Sequence, residues 1–243
     1  MFQLRFAICI ILMFVMGIAS IEIPVSGADT EFTFENEYPQ RLNGSLRSGN
    51  ILVENIDMDD GSFTYIQFQG LHHSNIVGCP KLPEVHELIE IPQGAVPQVE
   101  IISEEYKYYN LTEYGMHNPI FPHQPSLSKS QDPEDLPFEW EEGLYSTDKY
   151  ISPELISVEI KGQLRSLRLA NLVIRPVDYN PVTGIIRVAT SLEFSIHFDG
   201  ADLIATEDIK SQYYSPYYES VYSQAANYKS PNMRDDLVSY PVT

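Results

Sequence analysis

The sequence is poor in cysteine and in basic residues, and it has no long hydrophobic run after its first twenty positions. Only Cys79, one of its two cysteines, lies outside the amino-terminal hydrophobic segment. Once that segment is removed, a disulfide framework within the chain is excluded. Glycine-rich phosphate loops and the H-E-x-x-H and C-x-x-C patterns are also missing from the sequence. We therefore expect no cofactor and no metal centre built on these motifs.

Lysine and arginine are strongly outnumbered by acidic residues. The chain has 15 basic and 34 acidic side chains, and its formal net charge is −19. A negative field of this size repels nucleic acid and anionic membrane surfaces. We expect neither as a partner, and any protein partner should present a cationic or uncharged polar surface.

The amino-terminal segment has the pattern of a secretory signal peptide. Residues 6–18 form an almost uninterrupted apolar run that is too short for a membrane-spanning helix. Small residues at Gly17 and Ala19 suit cleavage after residue 19, and Ala28 offers a second site. The sequence predicts a secreted or periplasmic protein with residues 1–19 removed, and a retained amino-terminal anchor is the alternative.

The middle of the chain has the pattern of an all-β protein. Residues 29–47 are acidic and irregular, so we expect a loose arm there. After it, short apolar segments alternate with turn residues, which favours an antiparallel β-sandwich over residues 29–200. The predicted strands are residues 51–56, 63–69, 85–91, 99–102 and 106–111.

Three aspartates, Asp57, Asp59 and Asp60, lie in the turn between the first two of these strands. Carboxylates this close together could bind calcium. An EF-hand loop, however, has its glycine one position later than Gly61, and Phe68 occupies the position of the bidentate glutamate. We favour a solvated hairpin turn and leave calcium binding open.

The remaining cysteine has histidines nearby in the sequence. Cys79 could in principle pair with His72, His73 or His86 as a catalytic dyad. No nucleophile-elbow motif is present, and no neighbouring residue is placed to orient such a base. We therefore interpret Cys79 as a small packing residue and assign no catalytic residue.

The clearest single pattern runs from residue 186 to residue 198, where apolar and polar residues alternate. The alternation predicts a strand with one buried face, which includes Phe194 and Ile196. Asn180-Pro181 and Thr183-Gly184 supply turn residues just before it. With residues 167–177 as the preceding strand, the sequence predicts one long central hairpin over residues 167–198.

Two segments are of a different kind. Residues 118–140 contain five prolines and few aliphatic residues, which is typical of a long surface loop, and Lys129 is its only lysine. Near the carboxyl end, Ser215-Pro216 has the pattern of a helix start, and we expect this helix to end near Asn227. Residues 201–243 are thus predicted to be a short helix and a polar linker.

Six short motifs, taken together in order and spacing, resemble the propeptides of gingipain-type (C25) cysteine peptidases. The resemblance is strongest over residues 78–200. The motifs are G-C-P-K-L-P at 78–83, I-E-I-P-Q-G at 89–94, the proline-rich loop, Y-S-T-D-K-Y-I-S-P at 145–153, L-R-S-L-R-L-A at 164–170 and R-P-V-D-Y-N-P-V-T-G at 175–184.

This resemblance implies a β-sandwich prodomain that assists folding of a secreted zymogen and blocks its active site. It also implies a caspase-like catalytic domain with a His-Cys pair, which would begin near residue 243; without it we expect no peptidase activity. The resemblance further suggests that Lys129 enters the specificity pocket of the peptidase. In the polar tail, Lys229 and Arg234 are the candidate activation cleavage sites.

Two other classes of function remain as alternatives. A secreted β-sandwich that serves in binding or adhesion, with no peptidase partner, would share the same composition and strand pattern. A free-standing hydrolase has little support, because no catalytic constellation is present in the sequence. The coding sequence directly after Thr243 would discriminate between them, since a strand-and-helix domain with histidine and cysteine decides for the propeptide.

Overall fold

A computed structural model describes residues 20–37, 39–126, 129, 136–151 and 153–230. It confirms the all-β class, and the strand pairings in its sheets are antiparallel. In chain order the strands are β1 (Ile21–Ile23), β2 (Glu31–Glu37), β3 (Arg41–Arg47), β4 (Ile51–Met58), β5 (Gly61–Phe68), β6 (His72–His73), β7 (Pro83–Ile91), β8 (Val96–Asn110), β9 (Ile156–Leu164), β10 (Leu167–Ile174), β11 (Val177–Asn180) and β12 (Ile185–Asp199). The α-helices are α1 (Glu142–Tyr145), α2 (Leu203–Tyr213) and α3 (Glu219–Tyr222).

The strands form three sheets. One has the order β1-β4-β5, and a second has the order β6-β7-β10-β9. The third has the order β11-β12-β3-β2, with β8 paired along the other edge of β12. Within the described ranges, no helix is long and apolar enough to cross a membrane.

Strand β12 connects the two main cores of the sandwich. Ile186 and Val188 lie in the core beneath β4 and β5, whereas Phe194 and Ile196 pack against β7 and β10. The predicted inward face of this strand is therefore confirmed, and Phe194 and Ile196 are both 0% exposed. Thr190 is the exception, because a β-bulge displaces it from the inward row and leaves it half-buried.

The predicted hairpin over residues 167–198 is wrong in its first strand. Strand β10 pairs with β7 and β9 in the second sheet, and the chain then crosses to the third sheet at Arg175 and Pro176. Proline lacks the N–H that a continuing ladder needs, so one strand becomes two. The true hairpin is β11–β12, and its turn uses the predicted residues, with the Asn180 carboxamide accepting from two backbone N–H groups of the turn.

The loose arm predicted for residues 29–47 is also wrong. Strands β2 and β3 pair along the edge of the third sheet, and Leu42 and Leu46 are 0% exposed. Between these leucines lies Gly44, directly opposite Phe194. A Cβ on Gly44 would overlap the Phe194 ring, so the glycine leaves the space that the ring fills. An inward glycine interrupts the apolar alternation, which is why the pattern escaped recognition.

The two strands predicted at residues 99–102 and 106–111 are one strand. Strand β8 continues through Glu104 and Glu105 and follows β12 for its whole length. Most of its side chains are exposed. Acidic residues on a solvent-facing edge do not break a strand. Glu104 and Glu105 therefore do not form the strand boundary that the sequence predicted.

The carboxyl-terminal segment is helical after Ser215 as predicted, but a longer helix that was not predicted precedes it. Helix α2 is capped at its amino end by Asp202, whose side chain accepts a hydrogen bond from the backbone N–H of Ala205. This helix was missed because only Thr206 of it is buried, so the sequence shows no apolar stripe. The predicted helix after Ser215 is limited to a 3₁₀ turn over Pro216–Tyr218 and the short α3.

Candidate functional site

The proline-rich loop leaves the sandwich from a hydrogen-bonded base. Phe121 donates its backbone N–H to Thr64 of β5 at 2.9 Å. On the other side, the backbone N–H of His123 donates to Cys79 at 2.8 Å, and Gly78 donates to His123 at 2.9 Å. The chain entering the loop is therefore held between β5 and the G-C-P turn.

The two ends of the loop are joined by the side chain of Gln124. Its carboxamide nitrogen donates to the backbone carbonyl of Glu139 at 2.8 Å. Its carboxamide oxygen accepts from the backbone N–H of the same residue at 2.9 Å. The pair has the geometry of a two-hydrogen-bond ladder. We call this pairing of Gln124 with Glu139 the neck, because it joins the two ends of the loop.

A cluster of aromatic rings lies beneath this neck. Phe63 of β5 contacts a ring from each side of the loop, with centroids 5.5 Å from Phe121 and 5.3 Å from Phe138. Trp140 lies 5.4 Å from Phe63 and stacks on Tyr145 at 4.4 Å. Aromatic pairs at these distances add attraction beyond the area they bury. The neck is thus packed on the sheet as well as hydrogen-bonded.

Lys129 lies in a turn within this loop, and its side chain is exposed. Residues 127–128 and 130–135 on either side of it are outside the described ranges. The described geometry is therefore an exposed lysine in a loop whose ends are held together at Gln124 and Glu139. Sequence reasoning singled out Lys129 but missed Gln124 and the aromatic cluster. The F-P-H-Q and P-F-E-W segments that flank the loop were the available signal.

The G-C-P turn supports the neck from the side. Gly78 has φ +77°, a conformation that side chains rarely adopt, and its carbonyl accepts from the backbone N–H of Glu141 at 3.1 Å. A Cβ here would lie 3.3 Å from that same nitrogen. The glycine is required by both the backbone conformation and the close approach.

In the structure, the contacts of Cys79 and of the three histidines considered with it are not those of a catalytic dyad. Burial, and then the charge of Glu141, raise the pKa of the Cys79 thiol, which disfavours a nucleophilic thiolate. The His86 ring lies 2.7 Å from the Glu84 carboxylate, and the His73 ring lies 2.9 Å from the Ile66 carbonyl. His72 packs edge-on against His86.

The aspartates considered for calcium lie at the β4–β5 hairpin. Asp57 accepts a hydrogen bond from the Ser62 hydroxyl at 2.5 Å. Asp59 and Asp60 are the exposed turn residues. In the described part of the chain, no three His, Cys, Asp or Glu side chains are grouped so that they could hold a metal ion.

Of the two candidate cleavage sites, only one lies in the described part of the chain. Lys229 is exposed, two residues after the buried Asn227. Arg234 lies outside the described residues. Lys129 and Lys229 lie in different parts of the fold. Lys129 belongs to the loop above β5, whereas Lys229 follows a segment packed on β7.

Comparisons with protein families and with curated proteins find relatives of this chain. The Propeptide_C25 family model matches residues 45–225. Lys-gingipain from Porphyromonas gingivalis is 33% identical over 223 residues, which is 92% of this chain and 13% of that protein. Lys-gingipain HG66 from the same organism is 33% identical over 221 residues. The chain thus spans 13% of the length of the curated relatives it matches.

Two solved structures share the fold. A structure concerned with the zymogenic latency of gingipain K from P. gingivalis has a TM-score of 0.70 and 32% identity, and the match covers 75% of this chain and 100% of that one. A chain from the complex of the pro- and mature domains of P. gingivalis RgpB has a TM-score of 0.63 at 19% identity. That match covers 82% of this chain and 98% of the other.

Proposed function

Because this chain belongs to the Propeptide_C25 family, we propose that it keeps the peptidase domain of its own zymogen inactive and assists the folding of that domain. The match of the family model over residues 45–225 carries this proposal. It favours a propeptide over the alternative of an adhesion module without a peptidase partner. The partner is then a C25-type catalytic domain, in the same chain or supplied separately.

The loop with Lys129 is the part of the domain proposed to enter the active site. A lysine can occupy a pocket that selects basic side chains, as the lysine of a substrate would. The neck at Gln124 and Glu139 limits the conformations of the free loop, which lowers the entropy lost on binding. A tethered domain also has a high effective concentration, so modest contacts are enough for inhibition.

The acidic charge of the domain suits such a partner. With a formal charge of −19, the chain can be drawn towards cationic surface on a catalytic domain. Long-range attraction of this kind mainly raises the association rate and falls with salt. It would act together with the loop rather than replace it.

We further propose that residues 1–19 direct the chain to secretion and are removed. Ile23 is 0% exposed and Val25 is 7% exposed, and both pack in the core with β4 and β5. Cleavage after Ala28 would remove strand β1 and these two side chains. Cleavage after Ala19 leaves the described fold intact and is therefore the favoured position.

Activation is proposed to cut the chain in the tail at Lys229 or Arg234. A cut after either residue leaves all of the described strands on the prodomain side. The sandwich would stay folded after cleavage and could dissociate as a unit. Amino-terminal sequencing of a matured enzyme that begins within residues 150–200 would contradict this.

The proposal is tested by expressing the complete zymogen with and without residues 20–230. With the prodomain present, we expect a folded protein that gains peptidase activity only after proteolysis. Without it, we expect a poorly folded catalytic domain or one that is active from the start. A zymogen that is fully active before any cleavage would contradict the proposal.

The neck of the loop gives a separate prediction. Gln124→Ala removes both hydrogen bonds to Glu139, so the free loop samples more conformations and must be ordered on binding. We expect the inhibition constant to rise about tenfold, which is about 1.4 kcal/mol, with little change in thermal stability. The measurement is a titration of the cognate catalytic domain.

Gln163→Ala is the matched control. Gln163 is an exposed glutamine on β9 whose carboxamide bonds to Gln93 and to the Arg165 carbonyl, away from the loop. Its replacement should leave the inhibition constant unchanged. Equal constants for Gln124→Ala and wild type would show that the neck does not contribute to inhibition.

A further inference from the structure

The last described residues fold back onto the second sheet. Tyr222 and Ala225 are buried against Leu167 and Leu169, on the face of β10 that points away from the sandwich core. We call residues 214–230 the C-terminal clasp. It covers apolar surface of a sheet whose other face already lies in the core.

Asn227 joins the clasp to the edge of β7. It is 3% exposed, its carboxamide oxygen accepts from the Glu90 N–H at 2.7 Å, and its carboxamide nitrogen donates to the Glu90 carbonyl at 2.9 Å. The neighbouring Ala226 N–H donates to the Leu88 carbonyl at 2.8 Å. The clasp therefore satisfies backbone groups of β7 that would otherwise be buried without these bonds.

The residues directly around Lys229 are held as well. The Glu219 carboxylate accepts hydrogen bonds from the hydroxyl of Tyr228 at 3.1 Å and from Ser230. Partial burial acts to raise the pKa of Glu219, but the hydrogen bonds from Ser230, Tyr214 and Tyr228 outweigh it and lower the pKa below its ordinary value. The carboxylate is thus ionised at neutral pH. Lys229 lies between Tyr228 and Ser230, the two residues whose side chains the Glu219 carboxylate binds.

We propose that the C-terminal clasp protects the Lys229–Ser230 peptide bond from proteolysis until the clasp detaches from β7. Proteases bind their substrates as extended segments whose backbone pairs with the enzyme. The exposed Lys229 side chain can be reached, but the backbone N–H of Tyr228 before it donates to the Ala225 carbonyl at 2.9 Å. The side chains of Tyr228 and Ser230, on either side of it, are bound to Glu219. Hydrolysis adds one water across this bond, leaving a carboxylate on Lys229 and an amino group on Ser230.

This inference rests on the proposed function only in making Lys229 an activation site. Within it, Lys229 becomes a late or conditional site, cut when the clasp opens. For a bond cut only from an open state that forms and closes quickly, the cleavage rate follows the population of that state. Weakening the clasp should therefore accelerate cleavage without any change at Lys229.

The test uses trypsin, which cuts after lysine and arginine, on the chain from residue 20 to residue 243. Asn227→Ala removes two hydrogen bonds to the Glu90 backbone, so the open state becomes more populated. Mass spectrometry should show the fragment ending at Lys229 forming about tenfold faster or more than in wild type. Asn55→Ala, at an exposed asparagine of β4, should leave that rate unchanged.

Cleavage after Arg168 within β10 reports unfolding of the whole domain in the same samples, because this bond lies inside a central strand. It should stay slow in Asn227→Ala. Equal rates at Lys229 in wild type and Asn227→Ala would overturn the proposal, and so would an equal acceleration at Arg168. Since no cognate peptidase takes part, failure here is distinct from failure of the proposed inhibition.

Discussion

Lys129→Ala is expected to weaken inhibition of the cognate peptidase by about 2 kcal/mol or more, the size of effect seen for a buried anchor residue. The lysine is exposed in the free domain, and its loop is held at the neck by Gln124 and Glu139. On docking, its ammonium group would enter a pocket that accepts basic side chains, and alanine leaves that pocket empty. The inhibition constant should rise roughly 30-fold.

Lys149→Ala is the matched control for this change. Lys149 is also an exposed lysine outside the regular strands, and it belongs to the segment that follows α1. Its loss lowers the charge of the domain by the same amount, so it measures the purely electrostatic contribution. Equal inhibition constants for wild type and Lys129→Ala, with the fold intact, would assign the blocking of the active site to other residues.

Phe194→Ala is expected to reduce the free energy of unfolding by about 3–5 kcal/mol. The ring is 0% exposed in the core between β12 and β7, and it lies parallel to Phe32 with centroids 6.5 Å apart. Alanine leaves a cavity that the neighbouring strands cannot fill. Denaturant unfolding measures the loss, and a value below about 1 kcal/mol would contradict the assigned packing.

Gly44 provides a second test of the same contact. A Cβ at this position overlaps the Phe194 ring, so Gly44→Ala alone should cost about 1–3 kcal/mol through overpacking. In the Phe194→Ala background the ring is absent and the same change should cost much less. Tyr217→Ala, at a side chain that is 94% exposed, should be nearly neutral. If the effects of Gly44→Ala and Phe194→Ala on the free energy of unfolding were additive, the contact between the two residues would be contradicted.

The parts of the fold that could be predicted from the sequence are those with a local signal. Alternation along β12 identified its buried face, and Asn180 and Gly184 identified the turn before it. The hairpin partner was wrong because sheet membership is decided by pairing between distant strands. Residues 167–177 are apolar enough for either sheet, and only the crossing at Pro176 separates β10 from β11.

The candidate site was predicted in the same partial way. Lys129 stood out because it is the only lysine in a long proline-rich segment. The neck was not predicted because Gln124 and Glu139 are 15 positions apart. In addition, no sequence pattern distinguishes a glutamine whose carboxamide pairs with backbone from any other polar loop residue. Similarly, Thr206 is the only buried residue of helix α2, and the hydrogen bonds of the clasp to Glu90 come from the single side chain of Asn227. Single residues of this kind leave no periodic pattern.

Inhibition by the prodomain is measured most directly by titrating the cognate C25 catalytic domain with the chain from residue 20 to residue 243. Peptidase activity should fall progressively at low molar ratios and return when the prodomain is degraded. Full activity at a large excess of folded prodomain would contradict it.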